Sequence, residues 1–227
     1  MPSLPLDKYF KNSYQKLKHN FSIIIFSFLL PLIVFTILTL NVIFLKNSTF
    51  SWDISILLTI HNISQKFWDE FVPILTNFGG FKFILFFLTP IIVLFLSQIK
   101  RRLLIYLIVS IFSSAIVNFI IKILIHRSRP HLWESSYSFP SDYSFPSGHA
   151  MGSITLALTL LIIFWGSRWT IFFVILAGIY VISIGWTRLY LGVHFPSDIL
   201  GGWLLGIAWT SLITLLLNPR QSEKNTN

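Results

Sequence analysis

The 227-residue chain has no cysteine, and only 11% of its residues are charged. Without thiols it can form no disulfide, thiolate metal site or cysteine nucleophile. A soluble domain carries about 25% charged residues, so the shortage of charge argues against a water-soluble fold. Acids are the scarcer sign: 8 Asp and Glu stand against 17 Lys and Arg, a formal net charge of +9. A basic excess also suits nucleic-acid binding, but no basic face with interleaved polar residues occurs, so no nucleic-acid partner is expected. Hydrophobic residues are abundant, at 54%. These balances imply an integral membrane protein forming one domain over residues 1–227.

A bilayer crossing by a helix needs about 20 mostly apolar residues. Six stretches qualify: Phe21–Leu45, Phe81–Ile99, Leu103–Ile125, Ala150–Trp165, Trp169–Trp186 and Ile199–Leu217. The fourth reaches spanning length only if its helix starts near Ser147. The first follows a polar, basic N-terminus but exceeds the apolar core of a signal peptide, about 7–15 residues, and no small-x-small cleavage site follows. It is read as a retained span. The expected fold is all-α, a bundle of six transmembrane helices with polar tails at 1–20 and 218–227. Between the first two spans, Phe67, Trp68, Phe71, Val72, Leu75 and Phe78 recur at helical spacing among Gln65, Lys66, Asp69, Glu70 and Asn77. This pattern predicts an amphipathic helix, lying either in the outer interface or against the bundle.

Lys and Arg mark the cytoplasmic side of a membrane protein. With six spans, ten of the 17 basic residues, among them Lys8, Lys18, Arg101, Arg102, Arg168 and Arg220, fall on the side of the two termini. Both termini are therefore expected in the cytoplasm. Three polar motifs then fall together on the outer side.

The first motif runs from Lys122 to Pro130 (KILIHRSRP). Lys122 and Arg129 are two helical turns apart, and Asn118 lies one turn before Lys122. Pro130 moves Arg129 to or beyond the helix end. Arg127 is accounted for by snorkelling at the interface. The second motif, Pro146-Ser147-Gly148-His149, reads as a helix start, where free N–H groups bind phosphate and Gly148 admits a close approach. The loop before it repeats: Tyr137–Ser141 and Tyr143–Ser147 both read YSFPS. The repeat reads first as a local duplication in an aromatic interface loop. Its alternative is contact between Trp133, Tyr137 or Phe139 and the lipid part of a substrate. The third motif holds Thr187, Arg188, His194 and Asp198. Pro196 suits the first position of a helix. His194 then sits just outside that helix and Asp198 in its first turn, where a carboxylate can fix the imidazole tautomer and leave the other nitrogen to attack. Charge beside hydrocarbon is costly enough to make such a cluster a functional-site hypothesis.

In this order and spacing the motifs resemble the type 2 phosphatidic acid phosphatase superfamily of membrane lipid phosphatases. The family pattern is Lys-x6-Arg-Pro, then Pro-Ser-Gly-His, then Ser-Arg-x5-His-x3-Asp. It is matched here by Lys122, Arg129, Pro130; Pro146, Ser147, Gly148, His149; and Arg188, His194, Asp198, with Thr187 in place of the serine. The resemblance implies catalysis through a phosphohistidine. His194 would be the nucleophile, Asp198 its orienting acid and His149 the proton donor and acceptor. Lys122, Arg129, Arg188, the Ser147 hydroxyl, and the Ser147 and Gly148 amides would hold the phosphate. Three cations and a helix N-terminus would neutralise the transferring phosphoryl group, so no metal and no cofactor is expected. The expected substrate is a lipid phosphate or pyrophosphate: undecaprenyl pyrophosphate, phosphatidylglycerol phosphate or phosphatidic acid. The rival functions are a lipid phosphotransferase using the same site and, further off, a transporter of lipid or anion. Transport sites tend to lie near the midplane, whereas these motifs cluster at one interface. Vanadate-dependent haloperoxidases share the phosphate-site motifs but are soluble, which the spans argue against.

Overall fold

The computed structural model describes residues 21–45, 49–63, 66–98, 100–133 and 137–219. The tails expected at 1–20 and beyond Pro219 lie outside the described residues, as do Lys46 and Glu134. The described residues form eight helices: α1 (Phe21–Leu45), α2 (Ser51–Asn62), α3 (Lys66–Asn77), α4 (Phe81–Ser97), α5 (Arg101–Ile125), α6 (Gly148–Phe164), α7 (Thr170–Tyr190) and α8 (Pro196–Leu217). The all-α expectation holds. Boundaries agree closely with the apolar stretches, except that α7 runs four residues past Trp186 and so carries Thr187 and Arg188 on the helix itself.

Four of these helices are long and apolar enough to cross a membrane: α1 from Ile25, α5, α7 and α8. α3 and α4 together make a fifth candidate, bent by 53° at their break. α6 has 17 residues, about 26 Å at 1.5 Å per residue, short of the ~30 Å hydrocarbon core. By length and composition the count is therefore four or five, against the six expected. Bilayer-facing helices keep apolar residues on their outer faces. Phe44 is 81% exposed, Phe86 77% and Ile171 76%, a surface that water would not tolerate over such an area.

α8 is the centre of the bundle. α1 packs along it, and α6 fits between α5, α7 and α8. The α6–α8 approach rests on a small-residue pair four positions apart. A Cβ on Gly202 would lie 2.6 Å from the Ser147 carbonyl oxygen, and one on Gly206 2.4 Å from Ile154. Without side chains there, two backbones meet closely, which is how helices associate where lipid supplies no hydrophobic drive. Ile84, Leu88, Tyr106, Leu107, Ile111, Leu156 and Ile213 form one core cluster across α4, α5, α6 and α8. Within the bundle the Tyr106 hydroxyl and Thr214 Oγ1 bond at 2.8 Å, and Trp209 donates to Ser113 at 2.7 Å.

The predicted amphipathic helix forms as α3, and it packs against α7. Val72 and Thr76 are fully buried while Phe67 and Ile74 remain exposed. α2 precedes it as a separate short helix, which the apolar periodicity did not reveal. Alternating chain direction brings the end of α5, the start of α6, the end of α7 and the start of α8 to one end of the bundle. There the Ser144 amide bonds the Arg127 carbonyl at 2.9 Å, and the Ser147 amide bonds the Asp198 carbonyl at 3.0 Å.

Candidate active site

α5 stops at His126, which takes the left-handed conformation (φ 54°) and returns its amide to the Lys122 carbonyl. The next residues are extended, and side chains of an extended chain alternate between faces. Arg127 and Arg129 therefore point the same way, inward and buried, while His126 and Ser128 are exposed. This corrects the reading of Arg127 as a snorkelling cation. Its guanidinium bridges two buried carboxylates, Nη1 to Asp198 Oδ1 at 2.6 Å and Nη2 to Asp53 Oδ2 at 2.9 Å.

Arg129 lies across the site. Nη1 donates to the Val193 carbonyl at 2.7 Å and faces His194 Nε2 at 3.1 Å, while Nε donates to the Asp142 carbonyl at 2.9 Å. Lys122, in the last turn of α5, is buried and donates to the Tyr143 carbonyl. The side chain of Asp142 sits on both cations, Oδ2 at 2.7 Å from Lys122 Nζ and Oδ1 at 2.5 Å from Arg129 Nη2. Burial alone would raise the Asp142 carboxyl, but the hydrogen bonds and charges of Lys122 and Arg129 hold it down at about 2.

The second motif starts α6 with Ser147 as N-cap, its Oγ accepting from the Ala150 amide at 3.5 Å. Asn118 donates to the Pro146 carbonyl at 3.2 Å, and a Cβ on Gly148 would lie 3.1 Å from Asn118 Oδ1. Gly148 thus admits the Asn118 side chain. The Ser147 amide is already bonded to Asp198, so it is not free for phosphate, a correction to its expected place in the cradle. His149 packs against the break between α3 and α4. A Cβ on Gly79 would approach its Cδ2 to 3.2 Å, and one on Gly80 its Nε2 to 3.8 Å. Beside His149, Gly148 and Asn118 lies a cavity of about 210 Å³ that reaches Phe81 and Ile111.

In the third motif Pro196 takes the first helical position and Phe195 the N-cap, with His194 just outside, as expected. Asp198 Oδ2 accepts from the Phe195 amide at 2.8 Å and lies 3.4 Å from His194 Nδ1. Its other oxygen holds Arg127. Burial, reinforced by the positive charges of Arg129, Arg188 and Lys122, pushes His194 well below its ordinary pKa. This setting favours the neutral ring over the charged one. A guanidinium can only donate, so Nε2 is the acceptor toward Arg129 and the ring proton belongs on Nδ1, toward the carboxylate. Arg188 is 1% exposed and donates to Thr76 Oγ1 at 2.8 Å, while its buried Nε has no hydrogen-bond partner among the described residues. A donor left in this state calls for an acceptor that enters the site.

The structure thus brings Lys122, Arg129, Arg188, Asp198, His149 and His194 to one end of the bundle. Motif reading missed Asp53, Asp142, Thr76 and Ser197. Asp53 carried a signal: it is the one acid in an otherwise uncharged helix, Ser51–Asn62, where an ionisable group marks a site. The two YSFPS copies have different fates. Phe145 is fully buried and stacks on Phe35, whereas Phe139 stacks on His131. Tyr137 lies under Arg188 at 5.9 Å, and Trp133 stacks on His61. Trp133 and Tyr137 are thereby engaged with protein groups.

A family model described as the PAP2 superfamily matches residues 103–222. Phosphatidylglycerophosphatase B of Bacillus subtilis is 31% identical over 64% of this chain and 73% of its own length. The lipid A 4'-phosphatase of Bacteroides thetaiotaomicron is 27% identical over 68% of this chain and 72% of its own. An undecaprenyl-diphosphatase of Sulfolobus acidocaldarius is 37% identical over 36% of this chain and 34% of its own. Among solved structures, the PAP2-type phosphatidylglycerolphosphate phosphatase of Bacillus subtilis superposes with a TM-score of 0.72 at 25% identity, covering 88% of this chain and all of that one.

Proposed function

Because this chain belongs to the PAP2 superfamily, a metal-independent family of lipid phosphate hydrolases, and is a multi-pass membrane lipid phosphatase, we propose that it removes the terminal phosphate of a lipid phosphate or diphosphate through a phosphohistidine at His194. The observation that carries the reading is the setting of His194, with Nδ1 toward Asp198 at 3.4 Å and Nε2 toward Arg129 at 3.1 Å. A neutral imidazole held in this tautomer offers Nε2 to phosphorus. As the N–P bond forms, the P–O bond to the lipid breaks, and His149 gives its proton to the departing oxygen. Water then attacks the phosphohistidine, His149 takes the water proton, and the N–P bond breaks to release phosphate. Lys122, Arg129 and Arg188 hold the phosphoryl oxygens, with the arginines suited to bidentate contact. The Ser147 hydroxyl and the Gly148 amide add donors at the start of α6.

The same reading makes α4 and α6 spans as well, six in one domain, with α3 in the outer interface, both termini cytoplasmic and the site on the outer side. In its support, Arg101, Arg102 and Arg168 sit at the end of the bundle opposite the motifs, while Trp52, Trp68, Trp133 and Trp186 gather at the motif end. An apolar groove of about 650 Å³ runs along α4, α6 and α7 from Ile184 to Phe164. Ile184 also lies against Gly79 beside His149, which gives a lipid tail a path leading away from the proposed chemistry. The matched relatives are named for phosphatidylglycerophosphate, undecaprenyl diphosphate and lipid A phosphate. An outward site favours a carrier that surfaces on the outer leaflet, such as a polyprenyl diphosphate.

Phosphate release by the purified protein, measured across undecaprenyl pyrophosphate, phosphatidylglycerol phosphate and phosphatidic acid with His194→Ala as blank, tests this. Release from at least one lipid that disappears in the variant and persists in chelator is expected. Release undiminished in His194→Ala would sink the phosphohistidine. His149→Ala should slow the first step far more for a monoester, which expels a poor alkoxide, than for a diphosphate.

A further inference from the structure

Behind the proposed nucleophile stands a chain of buried charges that runs out of the three motifs to Asp53 on α2. His194 faces Asp198 at 3.4 Å, Asp198 holds Arg127 at 2.6 Å, and Arg127 holds Asp53 at 2.9 Å. Asp53, Asp198 and His194 are each at most 2% exposed, and Arg127 is 8% exposed. Ser197 closes the chain. Its amide and hydroxyl donate to Asp53 at 2.8 and 2.6 Å, and Arg127 Nη1 reaches its Oγ at 2.7 Å. Asp53 lies on α2, far in sequence from α8, yet it ties down the residue next to Asp198. The Arg127 guanidinium also lies 4.5 Å from the Phe195 ring. Taking several charges out of water is costly, and a shorter apolar contact would join α2 to α8 equally well. The arrangement places a cation one step behind the orienting carboxylate and divides that cation between two acids.

We propose that Asp53 and Arg127 are positioning residues for His194: by sharing Arg127, Asp53 sets how much negative charge Asp198 presents to the imidazole, and with it the basicity and aim of Nε2. Arg127 draws charge away from Asp198, while Asp53 draws Arg127 back. His194 is also faced by Arg129, Arg188, Lys122 and His149, whose positive charges add to burial in keeping the ring neutral. The proposal rests on the His194 mechanism above, and the two acceptors of Arg127 make opposite predictions. With Arg127 neutralised, Asp198 turns its full charge on His194, so the ring holds its proton to higher pH. With Asp53 neutralised, Arg127 belongs to Asp198 alone, so the ring loses its proton at lower pH. A unit charge about 7 Å away at an effective dielectric of about 20 is worth roughly one to two pH units.

The test is the pH dependence of kcat/KM for Arg127→Gln, Arg127→Lys and Asp53→Asn in the full chain, with one substrate throughout so that its own ionisation cancels. The acid limb should move up by roughly one to two units in Arg127→Gln, move down by a smaller amount in Asp53→Asn, which lies one pair further from the ring, and stay near wild type in Arg127→Lys. Lower rates with an unmoved limb in both neutral variants would leave the chain a purely structural brace and overturn the proposal. If Arg127→Gln does not yield monodisperse protein, Asp53→Asn decides alone, since a limb that stays or rises there contradicts the proposal. Failure of the phosphohistidine reading is a separate result, seen as wild-type release that survives His194→Ala.

Discussion

Asp142 gives one carboxylate oxygen to Lys122 and the other to Arg129, the two cations proposed to hold the phosphate. An incoming phosphate must therefore exchange with this carboxylate. The Asp142 side chain is 50% exposed, so its pairs are solvent-screened, each worth about 0.2–1 kcal/mol. Asp142→Asn should tighten binding of inorganic phosphate or vanadate by about two- to fivefold, read by competitive inhibition of phosphate release. Weaker binding would mean that Asp142 arranges the cations instead of competing for them. The sign with pH is fixed by its depressed pKa of about 2. The pairs are fully formed above the ~3.9 of an unfolded aspartate and are lost only as pH falls toward that lower value. The affinity gap between variant and wild type should thus stay flat from pH 5 to 8. At this scale the sequence showed the residues that motif spacing can mark: Lys122, Arg129, His149, Arg188, His194 and Asp198. Asp53, Asp142 and the inward turn of Arg127 depended on tertiary contacts across 74, 13 and 71 positions of chain, which local periodicity does not carry.

Helix starts and stops were the most legible feature, because proline, serine and glycine act locally. Pro196 opens α8 and Ser147 caps α6 where the sequence placed them. α5 ended at Ile125, four residues before Arg129, with the left-handed His126 as its C-cap, ahead of the residue that Pro130 restricts. α2 escaped notice because its 12 residues carry no strong apolar stripe. The packing of α6 on α8 had a sequence signal, Gly202 and Gly206 in a small-xxx-small spacing, and it makes a contrast testable by substitution. Gly202→Ala drives a methyl to within 2.9 Å of the Ala150 Cβ and 2.6 Å of the Ser147 carbonyl, whereas a Cβ on Gly178 meets nothing within 4 Å. Thermal unfolding in detergent should show Gly202→Ala destabilised by about 1–3 kcal/mol. Gly178→Ala should be neutral or stabilised by up to about 1 kcal/mol. Because the clash falls at the first turn of α6, Gly202→Ala should also lower turnover, while Gly178→Ala leaves it intact.

For the whole molecule, the apolar stretches revealed the bundle, and the basic residues suggested its orientation. They marked the fourth stretch, α6, as short, but did not reveal that α3 and α4 form a bent pair, because hydropathy reports composition and not where a helix tilts or breaks. Orientation is open to direct measurement, since the chain has no cysteine of its own. Ser141→Cys and Trp169→Cys, both at exposed positions at opposite ends of the bundle, should behave oppositely toward a membrane-impermeant thiol reagent on intact cells. Labelling of Cys at 141 and protection at 169 is expected, and the reverse pattern would place the site inside. One further consequence follows from the hydrogen bond between the Ser147 amide and the Asp198 carbonyl, 3.0 Å long. It rivets the first turn of α6 to the first turn of α8, and Gly202 leaves no slack beside it. The two histidines are thus mounted on a single rigid frame. Their spacing is then set by the α6–α8 contact and not by any group that arrives with a substrate.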